Sequence, residues 1–170
     1  MAKNTFLIRS SVDVGHAGTY AETEIDLGSY TNLGSSKPEV LRIHRAIIQL
    51  YDSNGEVPSM SSNTAGSGAW QLLTKSASGI RAATDDGWVC GGISAFRNPD
   101  GSTNPPTQTF AQQHLPQDYE NGYVVAVPSL YLGGLADSDF TEAVNYAVVL
   151  ECTTEAMTKA NAVALAISQQ

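Results

Sequence analysis

The sequence predicts an all-β domain with a single helix at its C-terminal end. Three observations favour this class: short segments rich in β-branched and aromatic residues, turn-forming residues between those segments, and helical spacing of apolar residues near the end of the chain. With 170 residues and no internal repeat or linker-like change in composition, the chain has the size of one domain. We therefore expect residues 1–170 to form a single domain with a buried core.

Seven segments have the composition of β-strands and are separated by Gly, Pro, Asn, Asp or Ser. In the second segment, Glu22, Glu24 and Asp26 alternate with apolar or β-branched residues, which predicts one solvated and one buried face. The third ends before the turn signal Asn54-Gly55 and has apolar residues on both faces, so both faces are expected to be covered. The predicted strands are 5–14, 20–27, 40–51, 70–75, 88–96, 123–132 and 143–152.

Two long segments between the predicted strands, about 56–69 and 98–121, have the composition of loops. The first is rich in Ser, Gly and Asn, and the second carries four prolines among Gln and Thr. Loops of this length are uncommon in compact domains and are usually either functional or poorly ordered. Both alternatives stay open at this point, and a short helix is expected around 110–114.

The last segment, about 154–168, predicts an amphipathic helix. Glu155 would lie in its first turn, where a negative charge suits the helix dipole, and Thr153 or Thr154 is a suitable N-cap. Seven or eight strands followed by this helix predict a β-sandwich or a jelly roll of about eight strands. The apolar residues that recur at helical spacing are Ala156, Met157, Ala160, Val163, Ala164 and Ile167.

The charge balance of the chain disfavours nucleic acid as a partner. Seventeen acidic and nine basic side chains give a formal charge of −8, which repels phosphate. Charged residues make up only 15% of the chain, so the surface is expected to be neutral and polar, as suits a protein that packs against copies of itself. Cys90 and Cys152 are expected to be small buried core residues. No targeting segment is recognisable, which favours folding in a cytoplasm.

No motif for catalysis, cofactor binding or metal binding is recognisable. Residues 92–96 lack the final glycine of a nucleophile elbow and fall within a predicted strand. Asp118 and Glu120 could be imagined as a glycosidase pair, but nothing in the sequence fixes the distance between their carboxyl groups. Asp85-Asp86 could be part of a cation site, but a turn is favoured because a glycine follows. We therefore expect a non-enzymatic protein with no catalytic residue, no cofactor and no bound metal.

The tyrosines around the second long segment are the candidate contact residues. Tyr119, Tyr123 and Tyr131 lie close together in the sequence, and His114 precedes them. If they are exposed together, they would form an assembly contact or a platform for stacking sugar rings, whereas if they are buried they belong to the core. We predict Tyr119, Tyr123, Tyr131 and His114 as assembly or ligand contacts.

The C-terminal third of the chain is similar to a known family. Residues 123–134, Tyr-Val-Val-Ala-Val-Pro-Ser-Leu-Tyr-Leu-Gly-Gly, and residues 144–154, Val-Asn-Tyr-Ala-Val-Val-Leu-Glu-Cys-Thr-Thr, lead into an Ala-rich helix. This ending resembles that of the single jelly-roll major capsid proteins of tailless icosahedral viruses of archaea and bacteria. The resemblance covers about a third of the chain.

This resemblance implies a structural role in a virion. The chain would form capsomers of an icosahedral shell with copies of itself, assembled in the host cytoplasm. Many capsid proteins carry a basic arm that contacts the genome, but the N-terminus here, Met-Ala-Lys-Asn, has none. The resemblance therefore implies a shell without direct nucleic-acid contact, which stands on an internal membrane or a second capsid protein.

A carbohydrate-binding or adhesive β-sandwich is the alternative function. It predicts a monomer whose affinity for glycans is lost when the three tyrosines are changed. The capsid hypothesis predicts association that depends on concentration and needs no ligand.

Overall fold

The computed structural model describes residues 4–170, and over this range it has nine β-strands in two antiparallel sheets and one α-helix. The all-β class predicted from the sequence is confirmed. A 3₁₀ turn spans Pro116–Asp118. The strands are β1 (Phe6–Gly15), β2 (Ala21–Asp26), β3 (Glu39–Tyr51), β4 (Thr64–Leu73), β5 (Trp88–Asn98), β6 (Thr107–His114), β7 (Tyr123–Val125), β8 (Ser129–Ala136) and β9 (Val144–Ala156), and the helix is α1 (Lys159–Ser168).

The order of the strands is that of a jelly roll. One sheet has the order β1-β9-β3-β7 and the other β2-β8-β4-β5-β6, so the first is one strand narrower. From β1 to β4 the chain alternates between the sheets, and the last two strands return to lie beside earlier ones: β8 between β2 and β4, and β9 between β1 and β3. Leaving β6 aside, eight strands form two sheets of four, which is the predicted jelly roll.

The core lies between the two sheets and is built by alternation along the strands. In β9, Val144, Tyr146, Val148 and Leu150 are buried, and the residues between them are less so. Cys90 and Cys152 are free and buried in this core, as expected for small core residues. Burial raises the pKa of the Cys152 thiol to about 12 and also raises that of Cys90.

The predicted loop 56–69 is too long, because its second half belongs to β4. That strand begins at Thr64 rather than at residue 70, and its Gly- and Ser-rich first half pairs with the end of β5. Gly68 is buried, and a Cβ atom at this position would collide with the Tyr146 hydroxyl group. The glycine therefore marks the close approach of a core side chain inside a strand, not a turn.

The predicted loop 98–121 contains β6, and the helix expected around 110–114 is wrong. Residues 107–114 pair with β5 as an antiparallel strand, with Thr109 as one extra residue where the register shifts. Every side chain of β6 is exposed, so the strand shows no alternation of polar and apolar residues that could reveal it in the sequence. The predicted strand 123–132 is two strands in different sheets, separated at Ala126–Pro128.

The C-terminal helix is shorter than the predicted 154–168. Residues up to Ala156 extend β9, and the helix begins at Lys159 with Thr158 as its N-cap. Glu155 therefore lies in a strand, where its carboxylate accepts hydrogen bonds from the Arg42 guanidinium at 2.8 and 2.6 Å. This ion pair raises the pKa of Arg42.

The helix packs on the outside of the four-stranded sheet. Ala162 and Ala166 are buried there against Val40 and Ala126, in a small second core. The apolar face predicted from helical spacing is wrong: Ala160, Val163, Ala164 and Ile167 are exposed, because the helix packs through Ala162 and Ala166 instead. Within the described residues, no helix combines the length and apolarity that crossing a membrane requires.

Candidate functional site

The four candidate contact residues do not form one platform. Tyr119 is exposed, and Tyr123 is half-buried beside it, where burial raises its pKa. Tyr131 lies on β8 in the other sheet and lines a different surface depression. His114 ends β6 and is exposed. Their roles as contacts stay predictions.

The most unusual surface of the sandwich is the side where β6 lies. This strand pairs with β5 along one edge, and all eight of its residues are exposed. Strands of a sandwich normally bury every second side chain against the opposite sheet. Because the four-stranded sheet is one strand narrower, β6 extends beyond it and both of its faces meet solvent.

The opposite sheet is also open on this side. The short strand β7 pairs only with residues 41–43 of β3, and beyond residue 43 this β3 edge has no neighbouring strand. At Ala46 the Gln117 side chain takes the place of a neighbouring strand. Its Oε1 accepts from the Ala46 N–H and its Nε2 donates to the Ala46 carbonyl, both at 3.0 Å. We call the surface formed by β6 and residues 46–51 of β3 the open flank.

On the β3 side of the open flank, the backbone groups of Ile48 and Leu50 have no partner among residues 4–170. In an antiparallel ladder, the N–H and C=O groups of one residue point to the same side, and successive residues alternate. Because Ala46 presents both groups to Gln117, Ile48 and Leu50 present theirs to the same edge. No further strand or described side chain reaches them there. This edge can accept another strand.

A cleft of about 220 Å³ separates the two open edges. Tyr146 lines this cleft but is itself buried, and burial raises the pKa of its phenol. Because residues of β3 and β6 face the same cleft, the two open edges lie across from each other. The lining side chains include Ile48, Leu50, Phe96, Gln108, Gln113 and Tyr146.

The open flank carries no charged residue, although the chain has a net charge of −8. No Asp, Glu, Lys or Arg occurs in residues 101–117 or in residues 46–51. The opposite edge of the five-stranded sheet, β2, carries three carboxylates in six residues. Natural edge strands are usually protected by charge, proline or a covering loop, and β6 has only the bulge at Thr109. Phe110 on β6 and Ile93 beside it add exposed apolar surface.

A groove of about 190 Å³ lies on the outer face of the five-stranded sheet. The backbone of Gly91 and Gly92 lines it, together with the Trp88 indole and the His114 imidazole, whose ring centroids are 6.2 Å apart in an edge-on arrangement. Residues 80–83 also line it. Aromatic rings, glycine backbone and the polar residues Arg81 and Gln112 therefore line the same groove.

The segment beside this groove is held by Gln71. This side chain is buried, and its Nε2 donates to the Tyr20 hydroxyl and to the Gly79 carbonyl, both at 2.9 Å. Its Oε1 accepts from the Arg81 N–H at 2.7 Å. The sequence analysis did not single out Gln71, although a lone glutamine between Trp70 and two leucines requires buried partners.

The described residues contain no group of three or more His, Cys, Asp or Glu side chains that could hold a metal ion. Asp118 does not point to a substrate, because its carboxylate accepts from the Leu115 N–H at 2.7 Å and so caps the 3₁₀ turn. The Asp85 carboxylate accepts from the Gly87 N–H at 3.0 Å, in agreement with the predicted turn. The pKa of Asp85 is lowered, mainly by this hydrogen bond.

Comparisons with known proteins find likeness only among solved structures. No family model matches the chain, and no curated protein matches its sequence. A structure of Desmodium yellow mottle tymovirus is 10% identical over 92% of this chain and 89% of that chain, with a TM-score of 0.35. VP1 of the Trichodysplasia spinulosa-associated polyomavirus, solved in complex with sialylated glycooligomers, is 9% identical over 88% of this chain and 94% of that chain, with a TM-score of 0.41.

A Bacillus endospore appendage protein, from a family described as disulfide-linked pili, is 8% identical over 90% of this chain and 91% of that chain, with a TM-score of 0.32. Scores this low decide neither fold nor function. The jelly-roll assignment rests on the order of the strands.

Proposed function

We propose that this chain is a structural protein that assembles with copies of itself into a viral capsid, and that it has no enzymatic activity. The observation that carries the proposal is β6, an eight-residue edge strand that is uncharged, exposed on both faces and unpaired along one edge. An edge of this kind drives association unless it is blocked. This chain has a net charge of −8 but places none of its charges on β6, so we infer that the open edge of β6 serves assembly.

The fold and the sequence favour a capsid among assembling proteins. Jelly rolls serve in viral capsids, and also in lectins and cupins. The segment that resembles capsid proteins of tailless icosahedral viruses of archaea and bacteria corresponds to β7, β8 and β9. In this proposal the chain forms capsomers of an icosahedral shell in the virion, assembled in the host cytoplasm. A second capsid protein or an internal membrane lies beneath the shell, and nucleic acid is not contacted directly.

Sedimentation velocity over a range of concentrations, with negative-stain electron microscopy of the same samples, tests the proposal. The wild-type chain should form larger species as its concentration rises. Phe110→Lys, which puts a charge on β6, should remain monomeric, because a charged side chain on an edge strand opposes its pairing with a strand of another copy. Ile167→Lys is the matched control, since this exposed residue lies on α1, and it should assemble as wild type does. A wild-type chain that stays monomeric at every concentration refutes the proposal.

The groove beside Trp88 supports saccharide binding as a second candidate function. A half-exposed indole can stack on the apolar face of a sugar ring, and Gln112, His114 and Arg81 surround it with hydrogen-bonding groups. A glycan array followed by calorimetry of the best ligand tests this function. Trp88→Ala should abolish binding and Tyr119→Ala should preserve it. Absence of binding to any glycan, or binding that survives Trp88→Ala, excludes the groove.

A further inference from the structure

We propose that two copies of this chain join through their open flanks about a two-fold axis, so that β6 of each copy pairs with the β3 edge of the other. This inference rests on the proposed self-assembly and names the surface and the partner strand. In the resulting pair, each five-stranded sheet continues into the four-stranded sheet of the other copy, which gives two continuous sheets of nine strands.

The shape of the flank is complementary to itself. The five-stranded sheet extends one strand beyond the four-stranded sheet, and that strand, β6, lies across the cleft from the open β3 edge. A half-turn about an axis along the strands exchanges the upper and lower sheets. The protruding strand of one copy then occupies the recess of the other, and the same contact forms twice, as a two-fold interface requires.

The hydrogen-bonding groups of the two edges also match. Ile48 and Leu50 present N–H and C=O groups at the β3 edge, and β6 presents such groups at every second residue along its free edge. Pairing them satisfies peptide groups on both strands. A strand placed beside β3 would also cover the half-exposed side chains of Ile48 and Leu50 in the cleft.

Charge selects this flank over the other edges for contact between identical copies. A two-fold interface buries the same surface of both copies, so a surface whose charges all have one sign brings like charges together. The β2 edge would bring together Glu22, Glu24 and Asp26 from both copies. Neither β6 nor residues 46–51 carries a charge, so no repulsion between like charges opposes the pairing of β6 with β3.

The exchange of sheets also fixes which side chains become neighbours. Gln49 is exposed between Ile48 and Leu50, which face the cleft, so it lies on the outer face of its sheet. On β6, Gln112 lines the outer groove and Gln113 the cleft, so Gln112 also faces outward. The half-turn keeps outer faces outward. The proposed pairing therefore places Gln49 of one copy beside outward residues of β6 in the other.

Disulfide trapping between two different variants tests the pairing. One protein carries Gln49→Cys and the other carries a cysteine at one outward position of β6: Phe110→Cys, Gln112→Cys or His114→Cys in turn, because the register is set only when the strands pair. Directly opposed residues on paired strands bring their Cβ atoms within reach of a disulfide. Mixing under mild oxidation should give a covalent dimer, resolved on a non-reducing gel, with at least one of the three partners.

The native cysteines do not interfere, because Cys90 and Cys152 are buried. Each variant carries one introduced cysteine, so a disulfide between introduced cysteines always joins two copies. Each single variant oxidised alone should stay monomeric on the gel. All substituted positions are exposed, and circular dichroism of each variant checks its fold.

The outcomes separate this inference from the proposed function. A mixed dimer with any of the three partners, absent from the single variants, supports the pairing of β6 with β3. If the wild-type chain associates but no mixture gives a covalent dimer, the pairing is wrong and self-assembly stands. If Gln112→Cys oxidised by itself gives a covalent dimer, β6 contacts β6 of the other copy, and this result also overturns the pairing of β6 with β3. If the wild-type chain does not associate at any concentration, the proposed function fails as well.

Discussion

The side chain of Gln117 pairs with the backbone of Ala46 as a neighbouring strand would. Its amide oxygen accepts from the Ala46 N–H and its amide nitrogen donates to the Ala46 carbonyl, both at 3.0 Å. The contact protects the β3 edge just beyond the last residue that β7 covers. It also marks where protection stops, because the same edge is open at Ile48 and Leu50.

Replacing Gln117 by Ala should lower the free energy of unfolding by about 1–3 kcal/mol, because two hydrogen bonds to the edge are lost. The same change should strengthen self-association, since it frees one more peptide unit of β3. Urea denaturation of the monomer and sedimentation velocity measure the two effects. Gln170→Ala is the control, as Gln170 is exposed and lies outside the open flank. Unchanged stability would show that the Gln117 contact does not persist in solution.

Gln169 protects the edge strand β7 in the same manner. Its Oε1 accepts from the Ala126 N–H at 2.9 Å, its Nε2 donates to the Val124 carbonyl at 2.7 Å, and the side chain is buried. Gln169→Ala should cost about 2–4 kcal/mol, because buried peptide groups lose their partners. Denaturation in urea measures the loss, with the exposed Gln170→Ala as control. Equal stability of the two variants would contradict this role.

Gly68 is required by close packing. A Cβ atom there would collide with the Tyr146 hydroxyl in the core. Gly68→Ala should therefore destabilise the fold by about 1–3 kcal/mol through overpacking. Gly101→Ala is the matched control, because open space surrounds Gly101 and its φ is not positive. Thermal unfolding of the two variants distinguishes them, and a neutral or stabilising Gly68→Ala would refute the packing described here.

Asp52 should make the stability depend on pH in the acid range. Its pKa is lowered, first by the Glu56 N–H, which donates to its Oδ1 at 2.8 Å, and also by the Asn54 N–H, which donates to the same oxygen at 2.8 Å. The carboxylate form therefore stabilises the fold above the unfolded pKa of about 3.9, and this contribution is lost as pH falls through the lower folded pKa. Asp52→Asn should flatten the dependence of unfolding on pH between about pH 5 and 2. An unchanged slope would exclude Asp52 as its source.

The sequence predicted the parts of the fold that depend on alternation and turns. The buried pattern of β9 and the acidic outer face of β2 follow directly from period-two spacing. The strand β6 could not be found this way, because no opposite sheet imposes burial on its side chains. The first half of β4 was hidden by glycines that serve packing against Tyr146, a contact between residues far apart in the chain.

The site was less predictable than the fold. His114 lies at the end of the open flank, but the tyrosines are divided between two surfaces. The groove and the flank are shaped in part by Gln71 and Gln117, whose side chains bind backbone groups elsewhere in the chain. A glutamine in a sequence does not reveal such distant partners. The one signal available was the absence of charge over residues 101–117.

Amide hydrogen–deuterium exchange at low and high protein concentration tests the central claim most directly. If the open flank is the assembly surface, peptides from residues 107–114 and 46–51 should exchange more slowly at concentrations where the chain associates, and peptides from β2 should be unchanged. Assembly with fast exchange retained throughout residues 107–114 would contradict the account.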